Sequence, residues 1–126
     1  METVRRIYDA YRAGDFEAAL DLIDPAIVFD GTVRPEGKVY HGHAGLTDAL
    51  RTWTGTWEAF RMEVEDVIDA GDQVVAFETQ SGRGRGSGMP LTQETATAYT
   101  FRNGKVVRMV WFSNRKAALK AAGLSE

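Results

Sequence analysis

Apolar side chains recur every three or four residues near the start of the chain, which is typical of amphipathic helices. The pattern predicts a first helix over residues 2–13, and Gly14 ends it. Asp15 then follows as a capping residue for a second helix, which the pattern extends over residues 16–23. Pro25 stops this second helix, because the residue before a proline avoids helical backbone angles.

The middle of the chain mixes short extended segments with one further helix. Residues 26–30 predict a short strand, and residues 38–40 predict a brief extended piece after a loop. Apolar residues return to helical spacing over residues 43–57, which predicts a third helix. Strand-like segments follow, some alternating apolar with polar residues, and predict four long strands at residues 60–65, 73–80, 91–101 and 105–112.

The order of these elements predicts the fold class. Asn103 and Gly104 suit a tight hairpin before the last strand, and Asn114 is placed to cap a short closing helix over residues 115–122. Two helices, a strand, a helix and four antiparallel strands make an α+β layout, with the helices segregated to one side of a curved sheet. No repeat or linker interrupts the sequence, so we expect a single domain over residues 1–126.

The glycine-rich stretch SGRGRGSGMP, residues 81–90, lies between two predicted neighbouring strands. It lacks the Gly-Lys-Ser/Thr of a nucleotide-binding loop, and Ser87 stands where a dinucleotide motif has its third glycine. No aromatic residue alternates with its arginines to stack on bases. We therefore expect a hairpin loop rather than a site for phosphate or nucleic acid.

Composition narrows the class of protein. The chain contains no cysteine, which excludes disulfides, thiolate nucleophiles and cysteine-based zinc sites. Its net charge of −3 is the wrong sign for a nucleic-acid binder. The N-terminus has no apolar core of a signal peptide, and no apolar run reaches membrane-spanning length. We expect a cytoplasmic protein that binds neither nucleic acid nor membrane.

Five stretches together resemble the SnoaL-like branch of the nuclear transport factor 2-like superfamily: AGDFEAAL, VYHGHAGL, WTGTWEAFRMEVEDVIDAGDQVV, SGRGRGSGMP and FRNGKVVRMVWFSNRKAALKAAGL. The resemblance implies a cone-shaped half-barrel, in which a curved antiparallel sheet wraps around the N-terminal helices and encloses a deep apolar pocket. The superfamily includes isomerases, cyclases, epoxide hydrolases, dehydratases and non-catalytic binders, so the fold alone does not give the activity.

The resemblance gives Asp30 a candidate catalytic role. Asp30 ends the stretch AIVFD, and ketosteroid isomerases have their general-base aspartate in a very similar Ala-x-Val-x-Asp context. A carboxylate beside an apolar pocket has a raised pKa and can move a proton next to a carbonyl group. The alternative is structural, because an aspartate at a strand end also stabilises the turn that follows it.

Other positions depart from the patterns of the enzymes in this superfamily. The oxyanion-hole tyrosine of the isomerases falls on Ile7 and their second aspartate on Thr97, which donates a weaker hydrogen bond than an acid. The last-strand carboxylate of the epoxide hydrolases falls on Trp111, which is expected to be a pocket wall or floor. These departures argue against steroid isomerisation in its usual form and against epoxide opening.

Large apolar side chains and a few polar ones are the candidates for lining the pocket. Glu78 and Gln80 share a face of one strand and are further polar candidates, but alternation does not say which face points inward. The predicted ligand-binding residues are Tyr11, Trp53, Trp57, Phe77, Gln93, Thr95, Thr97, Met109 and Trp111.

Neither a metal nor a cofactor is predicted. His41 and His43 form an H-x-H pair, which would bind a metal if carboxylates converged on it. In a loop that enters a helix, a capping or surface role is the simpler interpretation, and the superfamily often has histidine there without metal.

Two functions remain open. The first is a cofactor-free isomerase, cyclase or dehydratase that performs acid–base chemistry on an apolar carbonyl compound, with Asp30 as base and with Thr97 and Tyr11 as polar supports. The second is a non-catalytic ligand-binding or dimerisation domain. An acid in a dry pocket favours the first function, whereas a solvated Asp30 favours the second.

A homodimer through the sheet is also predicted. The strands at residues 73–80 and 105–112 carry apolar residues on both faces. The predicted helices, however, all pack on one side of the sheet. The outer face then needs a cover, and a second copy related by a two-fold axis is the simplest one. Arg108 lies within that outer face and is expected to pair with a carboxylate across the interface.

Overall fold

The computed structural model describes residues 2–32, 37–55, 57–71 and 73–123 of the chain. Within these residues it has the α+β architecture that the pattern predicts. The elements are α1 (Glu2–Arg12), α2 (Phe16–Leu20), β1 (Ile23–Gly31), β2 (Lys38–His41), α3 (Gly42–Gly55), β3 (Trp57–Asp69), β4 (Gln73–Gly84), β5 (Pro90–Arg102), β6 (Lys105–Phe112) and α4 (Arg115–Ala121).

The second helix is shorter than predicted. It is capped by Asp15, whose carboxylate accepts a hydrogen bond from the Ala18 backbone at 3.1 Å, but it ends at Leu20 rather than at residue 23. The carbonyl of Leu22 instead accepts a hydrogen bond from the Val106 backbone, and Ile23 begins to pair with β6. Pairing and full burial of Ile23 therefore override the local helical pattern.

The strands form one curved, open sheet in the order β2-β1-β6-β5-β4-β3. Neighbours are antiparallel except β1 and β6, which are parallel. The register between β3 and β4 shifts near residues 58–61, where Ala59 has a positive φ of 54°, and again near residues 64–66. Such bulges bend long strands, and here the bent sheet forms a cone-shaped half-barrel around α1, α2 and α3.

The closing helix covers part of the outer face of the sheet. Ala118 and Leu119 of α4 are buried against Val75 and Phe77 of β4 and against the small side chains of β5. The expectation that no helix remains for this face is therefore wrong. Asn114 caps α4 as predicted, accepting a hydrogen bond from the Ala117 backbone at 2.8 Å.

The glycine-rich stretch is a hairpin connection, as expected. Strand β4 continues to Gly84 and β5 starts at Pro90, so the turn between them is short. Gly86 and Gly88 have positive φ angles of 87° and 66°, which glycine adopts at little cost. Arg85 donates a hydrogen bond from Nε to the carbonyl of Gly55 at 2.6 Å and so fastens the hairpin to the end of α3.

Candidate functional site

A small cavity lies inside the cone, between the helices and the concave face of the sheet. We call it the inner cavity; its volume is about 50 Å³. The apolar part of its wall includes Phe29, Leu46, Leu50, Met62, Met109 and Trp111. The polar part consists of Tyr8, Tyr11, Trp53, Glu78, Gln80, Thr97 and Tyr99. Few polar groups in an apolar enclosure are typical of a ligand site.

A buried glutamate is the centre of the polar part. Glu78 is only 2% exposed, and its Oε1 accepts hydrogen bonds from the hydroxyls of Thr95 at 2.9 Å and Thr97 at 3.0 Å. Its Oε2 accepts a hydrogen bond from the Tyr8 hydroxyl. Tyr8 in turn accepts one from Tyr99 at 2.7 Å. A chain of three groups therefore runs from Tyr99 through Tyr8 to the carboxyl group.

The register of the sheet explains how these residues meet. Glu78 on β4 is paired directly with Thr95 on β5, and Thr97 lies two residues further along the same face. Tyr99 is the next residue on that face, and Tyr8 reaches the group from the buried side of α1. Alternation along β4 and β5 therefore places every sheet member of the cluster inside the cone.

Burial governs the acidity of this cluster. Removal from water raises the pKa of Glu78, although its three hydrogen bonds act in the opposite direction. Burial also raises the pKa of Tyr8 and of Tyr99 well above the ordinary value, and the nearby Glu78 charge adds to both shifts. The carboxyl group therefore takes up a proton more readily than an exposed glutamate, while both phenols stay protonated.

A second set of hydrogen bonds links the cluster to α3. Gln80 donates from Nε2 to the Thr95 hydroxyl at 2.9 Å, and its Oε1 accepts a hydrogen bond from the indole of Trp53 at 2.5 Å. Trp53 also packs against Trp111, with ring centroids 6.1 Å apart. The position of α3 and the orientation of the Glu78 cluster are thus connected.

Tyr11 presents a buried hydroxyl for which the described residues supply no hydrogen-bond partner. Its ring packs edge-on against Tyr8 at 6.0 Å, and its pKa is strongly raised, first by burial and then by the charge of Glu78. A buried hydroxyl without a partner costs about 1–3 kcal/mol. A ligand atom that accepted a hydrogen bond there would remove this cost.

A larger groove adjoins the inner cavity. We call it the outer groove; its volume is about 490 Å³, and it shares Tyr11, Leu50 and Met62 with the inner cavity. Its other lining residues are Arg12, Phe16, Thr54, Phe60, Arg61 and Glu63. The shared residues make the two spaces parts of one candidate site.

The structure brings most of the predicted ligand-binding residues together. Tyr11, Trp53, Thr97, Met109 and Trp111 line the inner cavity. The other four predicted residues do not line this cavity: Trp57, Phe77, Gln93 and Thr95.

Thr95 holds Glu78 and Gln80 by hydrogen bonds. Trp57 packs edge-on against Trp53 with ring centroids 5.8 Å apart. Gln93 is half-buried and paired in register with Gln80.

Phe77 is a correction to the predicted site. It lies on the outer face of the sheet, in the cluster that α4 covers, with the Arg115 guanidinium 4.2 Å from its ring centroid. Because side chains alternate along a strand, the inward position of Glu78 directs Phe77 outward.

Asp30 is a second correction to the catalytic interpretation, and its contacts are those of the structural alternative, a strand-end aspartate that stabilises the turn. Phe29 lines the inner cavity, so its neighbour Asp30 points to the opposite face of β1. There Asp30 accepts hydrogen bonds from the Thr32 hydroxyl at 2.7 Å and the Thr32 backbone at 3.1 Å, and it pairs with Arg108 at 3.3 Å. These contacts, with Thr32 first, lower the pKa of Asp30 instead of raising it. Arg108 thus has its carboxylate partner within the same chain.

The histidine pair is separated by the start of α3. The Nε2–H of His43 donates to the carbonyl of Ile23 at 2.8 Å, while His41 is exposed at the end of β2. In the described part of the chain, no three histidine or acidic side chains are grouped closely enough to hold a metal ion.

None of the described helices has the length and apolar character needed to span a membrane.

Glu78 is the candidate site residue to which the sequence pattern gives too little weight. It was a polar candidate of unknown orientation, whereas Tyr8 and Tyr99 were not predicted as site residues. One signal was present: Glu78 directly follows the apolar run VVAF in a strand, where a carboxyl group is rarely placed without partners.

The cone-shaped sheet, the helices within it and the cavity between them form the fold that nuclear transport factor 2-like proteins of known structure have. Such a protein from Burkholderia thailandensis has a TM-score of 0.82 at 23% identity, covering 99% of this chain and 96% of that one. Another, from Burkholderia pseudomallei, has a TM-score of 0.79 at 22% identity, covering 95% and 94%. The SnoaL-like domain family matches residues 4–109, and the chain belongs to this family.

A further similar structure is that of a protein crystallized together with a small molecule. TerC, co-crystallized with polyporic acid, has a TM-score of 0.77 at 25% identity, with 97% of this chain and 96% of TerC covered. No curated protein matches the chain in sequence.

Proposed function

We propose that this protein binds an apolar small molecule with a carbonyl group and performs acid–base chemistry on it without a cofactor, as an isomerase, cyclase or dehydratase does. The observation that carries the proposal is the burial of Glu78 in an apolar cavity, with a raised pKa. An acid in a dry pocket is the feature that favours an enzyme, and Glu78 supplies it in place of Asp30.

The sizes of the two spaces suggest how such a ligand is held. The outer groove, at about 490 Å³, is within the range of about 300–1,000 Å³ that is usual for ligand pockets. The inner cavity, at about 50 Å³, has room for only a few atoms. The apolar body of the ligand would therefore lie in the outer groove, and only its carbonyl end would enter the inner cavity.

The residues around the inner cavity then have distinct roles. Glu78, as a carboxylate, would remove a proton from the carbon next to the carbonyl and, once protonated, would return it at another atom. Tyr11 has the free hydroxyl that would donate to the carbonyl oxygen as negative charge develops on it. Tyr8, Thr95 and Thr97 would stabilise the carboxylate form of Glu78 between the two transfers.

The similarity to TerC supports a ligand of this general kind. TerC was co-crystallized with polyporic acid, and its structure matches 97% of this chain. Polyporic acid is therefore the first compound to test for binding here.

A non-catalytic ligand-binding domain is the second candidate, and two observations favour it. Asp30 lies outside the inner cavity, in contact with Thr32 and Arg108. All three donors around Glu78 are satisfied within the protein, as they would be in a cluster that only stabilises the fold. The two functions differ in whether a proton leaves the bound ligand.

Proton exchange in heavy water separates the two functions. Polyporic acid and a panel of aryl ketones are first screened by tryptophan fluorescence and melting temperature, and the ketones that bind are incubated with the protein in D₂O. NMR should show faster loss of the protons next to the carbonyl than in buffer, and Glu78→Gln should remove about 100-fold or more of the added rate. Glu94→Gln is the matched control, because Glu94 is an exposed carboxylate on β5. Binding without any exchange would favour the non-catalytic domain.

A further inference from the structure

The outer groove has two arginine side chains in its lining, whereas the described lining of the inner cavity has none. Arg12, the last residue of α1, and Arg61 on β3 both line the groove, together with the carboxylate of Glu63. Among the described residues that line the inner cavity, Glu78 is the single carboxylic acid, and none is an arginine, lysine or histidine. The two ends of the candidate site therefore differ in charge.

We propose that the ligand carries an ionised acid group, and that this group binds between Arg12 and Arg61 in the outer groove. The inference rests on the proposed function and deepens it, because it defines the class of ligand: a ring compound with a carbonyl group at one end and an acid at the other. The carbonyl end enters the inner cavity and the acid stays at the surface.

Both arginines are available to a ligand, because their present partners hold them weakly. Arg12 lies 3.3 Å from Asp9, and Arg61 lies 3.8 Å from Glu63. All four side chains are largely exposed, between 64% and 75%. Exposed pairs of this kind contribute about 0.2–1 kcal/mol, whereas a guanidinium can grip a carboxylate with two parallel hydrogen bonds. An incoming acid therefore competes with Asp9 and Glu63.

Charge also determines which end of the ligand enters the inner cavity. Glu78 repels an acid that enters the inner cavity whenever its own carboxyl group is ionised, and burial makes the transfer of a second anion costly. The arginines attract the same acid at the surface. The carbonyl end consequently enters first.

Two aromatic residues make the groove suitable for a ring. Phe16 is 42% exposed although it is a large apolar residue, and its ring lies 5.9 Å from that of Tyr11. Phe60, on the β3 side of the groove, packs against Trp57 at 5.9 Å. A flat ligand in the groove would cover the exposed face of Phe16.

A matched pair of probes tests the inference. The compound 6-acetyl-2-naphthoate has a ketone at one end and an acid at the other, and its methyl ester has the same shape without the charge. At low salt, calorimetry should show that the acid binds about three- to tenfold more tightly than the ester, and this advantage should shrink as salt is added.

Substitutions assign the effect to the two arginines. Arg12→Gln and Arg61→Gln should each weaken binding of the acid by about three- to fivefold and leave binding of the ester unchanged. Asp9→Asn should strengthen binding of the acid, because it frees Arg12. Arg5→Gln is the control, since Arg5 is an exposed arginine of the same helix outside the groove lining.

The outcomes separate this inference from the proposed function. Equal affinity for acid and ester at low salt, or equal losses for both probes in the arginine variants, would overturn the acid-binding inference while the proposed function stands. Failure of both probes to bind would overturn the two together.

Discussion

Glu78 on β4 and Tyr8 on α1 are joined by a hydrogen bond in the interior, although 70 positions separate them along the chain. This bond connects the sheet to the first helix at the point where the inner cavity lies. It also places an acid and a phenol in contact out of water, where proton affinity is set by the surrounding residues rather than by solvent. The structural role and the proposed chemical role of Glu78 therefore depend on the same contacts.

Asp30→Asn should leave proton exchange in bound ketones within about threefold of the original rate. Asp30 lies on the face of β1 opposite Phe29 and makes its contacts with Thr32 and Arg108. The substitution should instead lower the free energy of unfolding by about 1 kcal/mol, because the strand-end turn loses charged hydrogen bonds. Exchange by NMR and urea unfolding measure the two effects. Loss of exchange in a folded Asp30→Asn protein would restore Asp30 as the base.

The stability difference between the original protein and Glu78→Gln should depend on pH. Burial raises the pKa of Glu78 above its unfolded value, so its protonated form is favoured by folding. This contribution is fully present below the unfolded pKa and is lost as pH rises through the folded pKa. Glutamine does not titrate, so the melting temperature of the original protein should fall relative to the variant as pH is raised from about 4.

The pH dependence has its own control. Glu94→Gln removes an exposed carboxylate instead of a buried one. The melting temperature of this variant should therefore change with pH in the same way as that of the original protein. A constant difference between the original protein and Glu78→Gln across the pH range would mean that Glu78 has an ordinary pKa.

Tyr11→Phe should stabilise the free protein and weaken ligand binding. Its hydroxyl is buried without a partner among the described residues, so its removal should raise the free energy of unfolding by about 1 kcal/mol. The same change removes the proposed donor to the ligand carbonyl and should weaken ketone binding about tenfold. Tyr8→Phe is the contrasting variant, since it breaks the bonds to Glu78 and Tyr99 and should lower stability. A destabilised Tyr11→Phe protein would show that the hydroxyl has a partner.

The order of the elements and the fold class could be predicted from the sequence, but the end of α2 and the faces of the strands could not. In AIVFD, Ile27 and Phe29 are apolar and so are Ala26 and Val28, so alternation alone does not say on which side Asp30 lies. Burial of Phe29 in the cavity decides it. This orientation depends on packing against helices that are distant in the sequence.

Strand β4 posed the same difficulty. Val74 and Val75 are both apolar, and so are Ala76 and Phe77, because one face packs on the helices and the other on α4. A sheet buried on both sides loses the simple alternation that would have directed Glu78 inward and Phe77 outward. The partners of Glu78 became visible only from the register with β5.

The packing of α4 on the outer face of the sheet should affect both the stability of the protein and its association. Leu119 of α4 is 8% exposed and packs in the cluster that contains Val75 and Phe77, so Leu119→Asp should lower the free energy of unfolding by about 3 kcal/mol. Lys116→Asp, an exposed change on the same helix, should have little effect. The homodimer stays a prediction, and its original reason, an uncovered outer face, now applies only to the part of the face outside the α4 contact. Light scattering at micromolar concentration measures the mass directly. A dimer whose stability is unaffected by Leu119→Asp would mean that a second copy, rather than α4, covers the sheet in solution.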